Sequence, residues 1–162
     1  MEAVVERFAA SIAESLITSL DLRRVLSLAS EQLGIALEAD RVVVLLYPQP
    51  GQHESLLPSA MEWSRGVSNP EHDREILSVS RSIRQLIVSA SQPLNVQDTL
   101  SSPLLEPVQR SIRLLNISRI MASPARANGL PQAAIILYRS EGAPAWSPEE
   151  SDFVNYVSRY LG

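Results

Sequence analysis

The sequence predicts an α+β domain in which helices pack on an antiparallel sheet. Three observations lead to this fold class. Helical and strand-like hydrophobic patterns alternate along the chain. Apolar, β-branched runs at 41–47 and 133–138 predict buried strands. Two turn signals, Pro48-Gln49-Pro50-Gly51-Gln52 and Asn128-Gly129, indicate hairpins and therefore antiparallel pairing.

Each element follows from its own local pattern. Apolar residues at steps of three and four predict helices over 1–18, 22–38, 73–89 and 104–115. A last helix begins at Ser147-Pro148-Glu149-Glu150, which reads as a cap, a first-turn proline and a capping-box glutamate. Apolar or alternating runs predict strands over 41–47, 56–63, 93–97, 118–127 and 130–139.

Length and composition restrict the function. The 162 residues are 45% hydrophobic and 20% charged, which is typical of one folded domain. A net charge of −4 argues against a nucleic-acid-binding module. The chain has no Cys, which excludes disulfides and thiolate chemistry. All 14 basic residues are Arg, so Schiff-base chemistry and a lysine phosphate loop are excluded as well.

The N-terminus lacks the pattern of a targeting signal. Glu2 and Glu6 stand where a secretory signal needs positive charge. The longest apolar runs have six residues, whereas a membrane helix needs about 20. We therefore expect a cytoplasmic protein without a membrane partner.

Catalytic and metal-binding patterns are missing from the sequence. The only histidines are His53 and His72, and the neighbours of His72, Glu71 and Asp73, show sequence adjacency alone. A hydrolase triad or a metal site needs a specific spatial set of such groups, which no spacing here indicates. We expect no catalytic residue, no metal site and no enzyme activity within this chain.

Six segments, taken in order, resemble the pattern of the GAF domain family, and together they cover about 19–161. They are Ser19-Leu20-Asp21-Leu22, the entry to the first strand at 37–42, the strand ending in Asp98 at 93–98, the strand running into Pro124 at 115–124, the Asn128-Gly129 hairpin, and the helix start at 146–152. We therefore divide the chain into an N-terminal amphipathic helix over 1–18 and a GAF-like domain over 19–162.

The resemblance implies a GAF/PAS-like fold with about six antiparallel strands. The terminal helices would lie on one face of the sheet, and a pocket covered by a helix and loops would lie on the other. The implied function is a non-catalytic sensory or regulatory domain in signal transduction, for example the N-terminal input domain of a sensor histidine kinase in a two-component system. Such a domain would bind a small non-covalent ligand, form a homodimer and act on an output domain or kinase partner. The alternative is a ligand-free dimerisation and coupling module.

The candidate ligand-binding residues are Trp63, Arg74, Arg81, Arg84 and Asp98. The three arginines can share one face of their helix, and guanidinium groups facing the pocket would bind an anion. A solvated outer face is the alternative for the arginines, and a filled core is the alternative for Trp63.

The candidate dimerisation residues are apolar positions on the first two helices: Phe8, Ile12, Leu16, Leu28 and Ile35. Leu28 and Ile35 lie off the main apolar stripe of the second helix, so the sheet does not need them. They can pack on the first helix or on a second subunit, and the pattern does not separate these two options.

The cofactors of the family can be tested against the composition. A covalent bilin and an iron–sulfur cluster both need Cys, which is missing. Haem needs an axial ligand, and His72, at the start of the third helix, is the one candidate near the implied pocket. A solvated surface position is the simpler explanation of His72, and we do not expect haem.

Overall fold

The computed structural model describes residues 6–7, 22–48, 61–66, 70–89, 92–127 and 129–161. The α-helices are α1 (Leu22–Ala36), α2 (Pro70–Ile87), α3 (Gln109–Leu115) and α4 (Pro148–Leu161). The strands are β1 (Arg41–Leu46), β2 (Met61–Ser64), β3 (Leu94–Val96), β4 (Ile117–Ala127) and β5 (Leu130–Ser140). Two 3-10 turns, Thr99–Ser101 and Pro103–Val108, connect β3 to α3. Residues 6 and 7 are helical, but Phe8, Ile12 and Leu16 lie outside the described residues.

The strands form one antiparallel sheet in the order β2-β1-β5-β4-β3. This confirms the predicted fold class. The described part of the chain contains five strands, whereas the family resemblance implies about six. The long β4–β5 hairpin is the centre of the sheet, and Gly129 supplies the left-handed φ of 81° that its turn needs.

The two faces of the sheet carry separate cores because side chains alternate along each strand. Val42 and Val44 face the cluster that includes residues of α1 and α4, whereas Val43 and Leu45 face the cluster under α2. The helices near the two ends of the chain therefore share one face, as the resemblance implies. The helix α2 covers the other face, where the family pocket is expected.

Most helix boundaries follow the predictions, with two informative differences. The capping box is confirmed, because Ser147 N donates to Glu150 Oε1 at 2.8 Å and Glu150 N donates to Ser147 Oγ at 3.1 Å. The helix α2 begins at Pro70 instead of Asp73, since proline suits a first turn. The helix predicted over 104–115 divides at Gln109, because Pro107 cannot donate a backbone hydrogen bond.

A buried arginine holds the layer of α1 and α4 to the sheet. Arg139, near the end of β5, is only 2% exposed. Its Nη2 donates to the Leu37 carbonyl at 2.5 Å and lies 2.6 Å from Glu150 Oε2. Its Nη1 donates to the carbonyls of Pro144 and Ala145 at 3.0 and 3.2 Å. One guanidinium therefore joins the end of α1, the loop before α4 and the first turn of α4.

The indole of Trp146 completes this arrangement. The Arg139 guanidinium carbon lies 3.9 Å from the centre of the Trp146 ring, which is the geometry of a cation–π contact. Gln97 then fixes the Trp146 backbone, donating to its carbonyl at 3.1 Å and accepting from its amide at 3.0 Å. We use the name Arg139 clamp for Arg139 with Leu37, Pro144, Ala145, Trp146 and Glu150.

Candidate functional site

Side chains fill the space directly under the middle of α2. Ile76, Val79 and Ile83 are fully buried against the sheet. Two tyrosines of the sheet bond to the helix: Tyr138 Oη lies 2.6 Å from Ser80 Oγ, and Tyr47 Oη donates to the Arg84 carbonyl at 2.7 Å. Burial raises the pKa of Tyr47 to about 12 and also raises the pKa of Tyr138. Both phenols are therefore neutral structural groups at physiological pH.

An open cleft lies beside this packed region, where the first turns of α2 meet the outer strand β2. Its volume is about 270 Å³. It is lined by Arg41, Val43, Glu62, Trp63, Ser64, Asp73 and Ile76, and we call it the edge cleft. It lies between the sheet and α2, on the face where the resemblance implies a pocket.

The polar groups of the edge cleft come from both of its walls. Arg41 Nη1 of β1 forms an ion pair with Asp73 Oδ1 of α2 at 2.8 Å, and neither side chain is fully buried. Partial burial raises the pKa of Glu62, the Asp73 carboxylate adds to this effect, and Arg41 offsets part of it. Two carboxylates thus face one guanidinium, so the cleft favours a ligand with a cationic or hydrogen-bond-donating group.

The raised pKa of Glu62 gives a testable pH dependence. The folded state binds the proton of the Glu62 carboxyl group more tightly than the unfolded chain does. The stability of the protein therefore falls as the pH rises from the unfolded-state pKa of Glu62 through its folded-state pKa. This loss of stability disappears once the pH falls below the ordinary pKa of glutamate, about 4.3. We expect Glu62→Gln to raise the Tm at pH 7 and to have a smaller effect at pH 3.5, measured by thermal denaturation.

Glu31→Gln, at an exposed position of α1, is the matched control for the change from glutamate to glutamine. An equal gain for Glu62→Gln at both pH values, or a loss at pH 7, would contradict the interpretation of the Glu62 environment.

The predicted site residue Asp98 lies in a different cleft. This second cleft, about 300 Å³ in volume, is formed by the 3-10 turn after β3, the end of α3 and the start of β4. The Asp98 carboxylate accepts hydrogen bonds from Ser101 Oγ at 2.6 Å and Leu100 N at 3.2 Å. The bond from Ser101 is the main reason that the pKa of Asp98 is lowered. Asp98 therefore caps a turn in this structure.

The three candidate arginines do not share one environment. Arg74 and Arg81 are exposed, whereas Arg84 is 8% exposed. Arg84 Nη1 donates to the Leu46 carbonyl at 2.8 Å, and its guanidinium carbon lies 5.8 Å from the centre of the Tyr47 ring. The expectation of a common face thus fails for Arg84, because its side chain is buried and its guanidinium turns inward to the Leu46 carbonyl. None of the three arginines lines the edge cleft.

The Trp63 ring packs on the opposite face of the sheet from α2. Trp63 pairs with Val42 in register, and its ring lies against Gly34 of α1. The residue still lines the edge cleft, at the point where its strand forms the cleft wall. Of the five residues predicted to bind a ligand, only Trp63 lines the edge cleft. Arg74, Arg81, Arg84 and Asp98 lie elsewhere.

Two candidate dimerisation residues are visible on α1. Leu28 is partly buried against the core that α1 shares with α4, and most of the predicted first helix lies outside the described residues. Ile35 is 59% exposed. Only Ile35 of this pair presents most of its side chain to the surroundings.

His72 lies in the first turn of α2 and is partly exposed. Within the ranges that the structure describes, no group of three or more His, Cys, Asp or Glu side chains has the arrangement of a metal site. The helices in those same ranges include none that is long and apolar enough to cross a membrane.

No pattern in the sequence pointed to the polar residues of the edge cleft. Arg41 and Asp73 are 32 positions apart, and no local spacing connects them. Glu62 lies in a short outer strand, and its pairing with Val43 decides on which face of the sheet it lies. The one usable signal was Arg41 itself, a charged residue that opens an otherwise apolar strand.

A family model described as the GAF domain matches residues 21–162. The chain belongs to the GAF family. GAF domains are regulatory and sensory modules of signalling proteins, which confirms the regulatory role predicted from the sequence. No curated protein sequence matches this GAF domain.

Solved GAF domains have the same fold at low sequence identity. The phycoerythrobilin-bound GAF domain of a cyanobacterial phytochrome is 14% identical, with a TM-score of 0.69 over 99% of this chain and 94% of the other. A GAF domain/HD domain protein from Geobacter sulfurreducens is 18% identical, with a TM-score of 0.62 over 87% and 89%. The GAF domain of a phosphoenolpyruvate-protein phosphotransferase from Coxiella burnetii is 15% identical, with a TM-score of 0.57 over 97% and 89%. At these identities the likeness concerns the fold.

Proposed function

We propose that this GAF domain is a regulatory input module that binds a small, non-covalent ligand in the edge cleft. In this proposal it works in the cytoplasm as a homodimer and acts on an output domain or kinase partner, such as that of a two-component system. Catalysis would belong to the partner. The observation that carries the proposal is the Arg41–Asp73 ion pair, which connects the sheet to α2 across an open cleft.

The chemistry of the cleft defines the ligand class. Asp73 and Glu62 supply carboxylates, and Arg41 supplies a guanidinium on the same wall as Glu62. A compact molecule with an amino or amidine group and a separate acceptor group would satisfy both signs of charge. This differs from the anionic ligand expected from the arginines of α2, because Arg74, Arg81 and Arg84 do not line the cleft.

The sheet offers a route from the edge cleft to the helices on its other face. Arg41 lies opposite Tyr138 in the register of β1 and β5. The next residue on β5 is Arg139, whose guanidinium holds the end of α1 and the start of α4. A ligand that displaces Arg41 from Asp73 would act on the strand pair that positions the Arg139 clamp, and α1 and α4 would report the change to an output domain.

A ligand-free dimerisation module is the second candidate, and one observation favours it. Ile35 remains 59% exposed on α1, an apolar side chain on a surface helix. In this interpretation the α1 face of one subunit packs on the same face of its partner, and the edge cleft stays empty.

Native mass spectrometry of the freshly purified protein, followed by a thermal-shift screen, tests the proposal. We expect a dimer with retained mass, or a rise in Tm with small molecules that carry an amino or amidine group. A ligand at 100 times its Kd adds about 2.7 kcal/mol of stability, so the screen detects even weak binders. Glu62→Gln and Asp73→Asn should each weaken binding about tenfold or more, a loss of roughly 1.4 kcal/mol.

Glu71→Gln is the matched control, because Glu71 shares the first turn of α2 with Asp73 but does not line the edge cleft. A dimer of twice the chain mass that no compound stabilises would replace the ligand proposal with the dimerisation module. Binding that survives both cleft variants unchanged would overturn the assignment of the edge cleft.

A further inference from the structure

The second cleft, which contains Asp98, combines an apolar floor with charged groups around it. Its apolar lining residues are Leu100, Ile112 and Ile117, and its charged lining residues are Asp98, Arg113 and Glu141. These residues come from four separate parts of the chain: the turn after β3, the helix α3, the start of β4 and the loop after β5. Its volume of about 300 Å³ is at the lower end for ligand pockets, so the cleft suits a compact molecule.

The apolar part of the lining offers surface to a ligand. Ile112 and Ile117 are buried and form the floor of the cleft, whereas Leu100 is 60% exposed. A ligand that covers the Leu100 side chain with an apolar group removes apolar surface from water, which favours binding. An apolar group on the ligand is therefore the first requirement of this cleft.

The charged groups of the second cleft have opposite signs and are not all paired. Arg113 and Glu141 are both exposed, and within the described part of the chain neither side chain takes part in an ion pair or a hydrogen bond. Asp98 differs, because its carboxylate accepts hydrogen bonds from Ser101 Oγ and Leu100 N. Arg113 and Glu141 are therefore the cation and the anion that a ligand can use.

The backbone holds these two residues at the same turn. Asn116 ends α3 in the left-handed conformation, with a φ of 56°, and its amide donates to the Arg113 carbonyl at 3.2 Å. The Asn116 carbonyl accepts a hydrogen bond from the Glu141 amide, also at 3.2 Å. One residue thus joins the helix that carries Arg113 to the loop that carries Glu141, beside the apolar floor of the cleft.

We propose that the second cleft binds a free amino acid with a large apolar side chain. The ligand carboxylate would pair with the Arg113 guanidinium, and its ammonium group would pair with the Glu141 carboxylate. The apolar side chain would lie against Leu100 and the floor of the cleft. A molecule with one charge would leave either Arg113 or Glu141 without a partner, and a molecule without an apolar group would leave Leu100 in water. The site is separate from the edge cleft and does not depend on the function proposed there.

Both sides of the second cleft lead to the start of α4. Glu141 opens the loop that belongs to the Arg139 clamp. Asp98 follows Gln97, whose side chain holds the Trp146 backbone at the other end of this loop. An amino acid bound between the two sides would hold the loop in place, so α4 would carry the effect of binding.

Isothermal titration calorimetry with L-leucine and L-phenylalanine tests the proposal. We expect saturable binding of at least one of them, and binding of glycine that is weaker by about tenfold or more, because glycine has no apolar side chain. The amide of the bound amino acid lacks the carboxylate, and its N-acetyl derivative lacks the ammonium group. Each derivative should therefore bind more weakly than the amino acid, by about tenfold or more.

Two variants assign the two charges of the ligand. Arg113→Gln should weaken binding of the amino acid about tenfold or more but leave binding of its amide nearly unchanged. Glu141→Gln should weaken binding of the amino acid equally but leave binding of the N-acetyl derivative nearly unchanged. Both residues are exposed, so both variants should keep the fold. Arg110→Gln and Glu106→Gln are the matched controls, because both positions are exposed and neither lines the cleft.

Amide hydrogen exchange locates the bound amino acid. We expect the ligand to protect 98–101 and 141–146, which contain the turn and the loop at the cleft. Protection confined to 61–64 and 70–76 would place the ligand in the edge cleft and overturn the proposal. The absence of saturable binding for both amino acids would overturn it as well, as would equal affinity in Arg113→Gln, Glu141→Gln and the original protein.

Discussion

Replacing Arg139 with methionine is expected to destabilise the domain by about 3–5 kcal/mol, the usual result of breaking a buried ion pair. Methionine fills much of the space but leaves Glu150 as a charge without its partner. The carbonyls of Leu37, Pro144 and Ala145 also lose a donor. For a domain of this size the loss corresponds to a fall in Tm of roughly 10 °C. Urea denaturation followed by circular dichroism measures it.

The double variant Arg139→Met with Glu150→Gln separates the charge from the packing. Removing the unpaired carboxylate should recover part of the stability, so the double variant should lose less than the two single losses combined. Arg110→Met is the control on an exposed arginine and should stay within about 0.5 kcal/mol of the original protein. A loss below about 1 kcal/mol for Arg139→Met would show that the Arg139 clamp contributes little to folding.

Gly34→Ala is expected to destabilise the protein by about 1–3 kcal/mol, the range of an overpacked core. In an ordinary helix, replacing glycine by alanine raises the free energy of unfolding by about 1 kcal/mol. The change expected at Gly34 has the opposite sign. A Cβ at Gly34 would overlap the six-membered ring of Trp63, so either α1 or the outer strand β2 must shift. Chemical denaturation of the variant gives the free energy of unfolding.

A second substitution identifies the clash as the cause. Trp63→Leu removes the ring that the new methyl group meets, so Gly34→Ala should cost much less in the Trp63→Leu background. Glu31→Ala tests an exposed position of the same helix and should be close to neutral. A gain in stability for Gly34→Ala in the original protein would mean that α1 and Trp63 are not packed as described.

Local signals in the sequence predicted most of the fold. The capping box at Ser147, the apolar runs of β1 and β5, and the Asn128-Gly129 signal each specify a structure within a few neighbouring residues. The antiparallel topology then follows from the hairpins. The boundary inside 104–115 was wrong because a proline that suits the first turn of an α-helix here lies within a 3-10 turn.

The candidate site was harder to predict because its geometry depends on pairing between distant segments. Helical spacing grouped Arg84 with Arg74 and Arg81, but the helix turns Arg84 inward to the Leu46 carbonyl. Alternation in β2 could not tell which face would carry Trp63, since the register with Val42 decides it. Arg139 reads as an ordinary surface arginine at the end of a strand, and its partners come from distant segments as well as the adjacent loop.

The place of β1 in the sheet has a consequence for how the cell makes this protein. The strand β1 is the first of the described strands to be synthesised, but its partner in the centre of the sheet, β5, is the last of them. At ordinary translation rates of about 5–20 residues per second, β5 emerges from the ribosome on the order of 5 to 20 s later. During that time the apolar segment Arg41–Leu46 lacks β5, its partner in the centre of the sheet. A chaperone that binds the nascent chain at this segment would therefore protect the chain from aggregation.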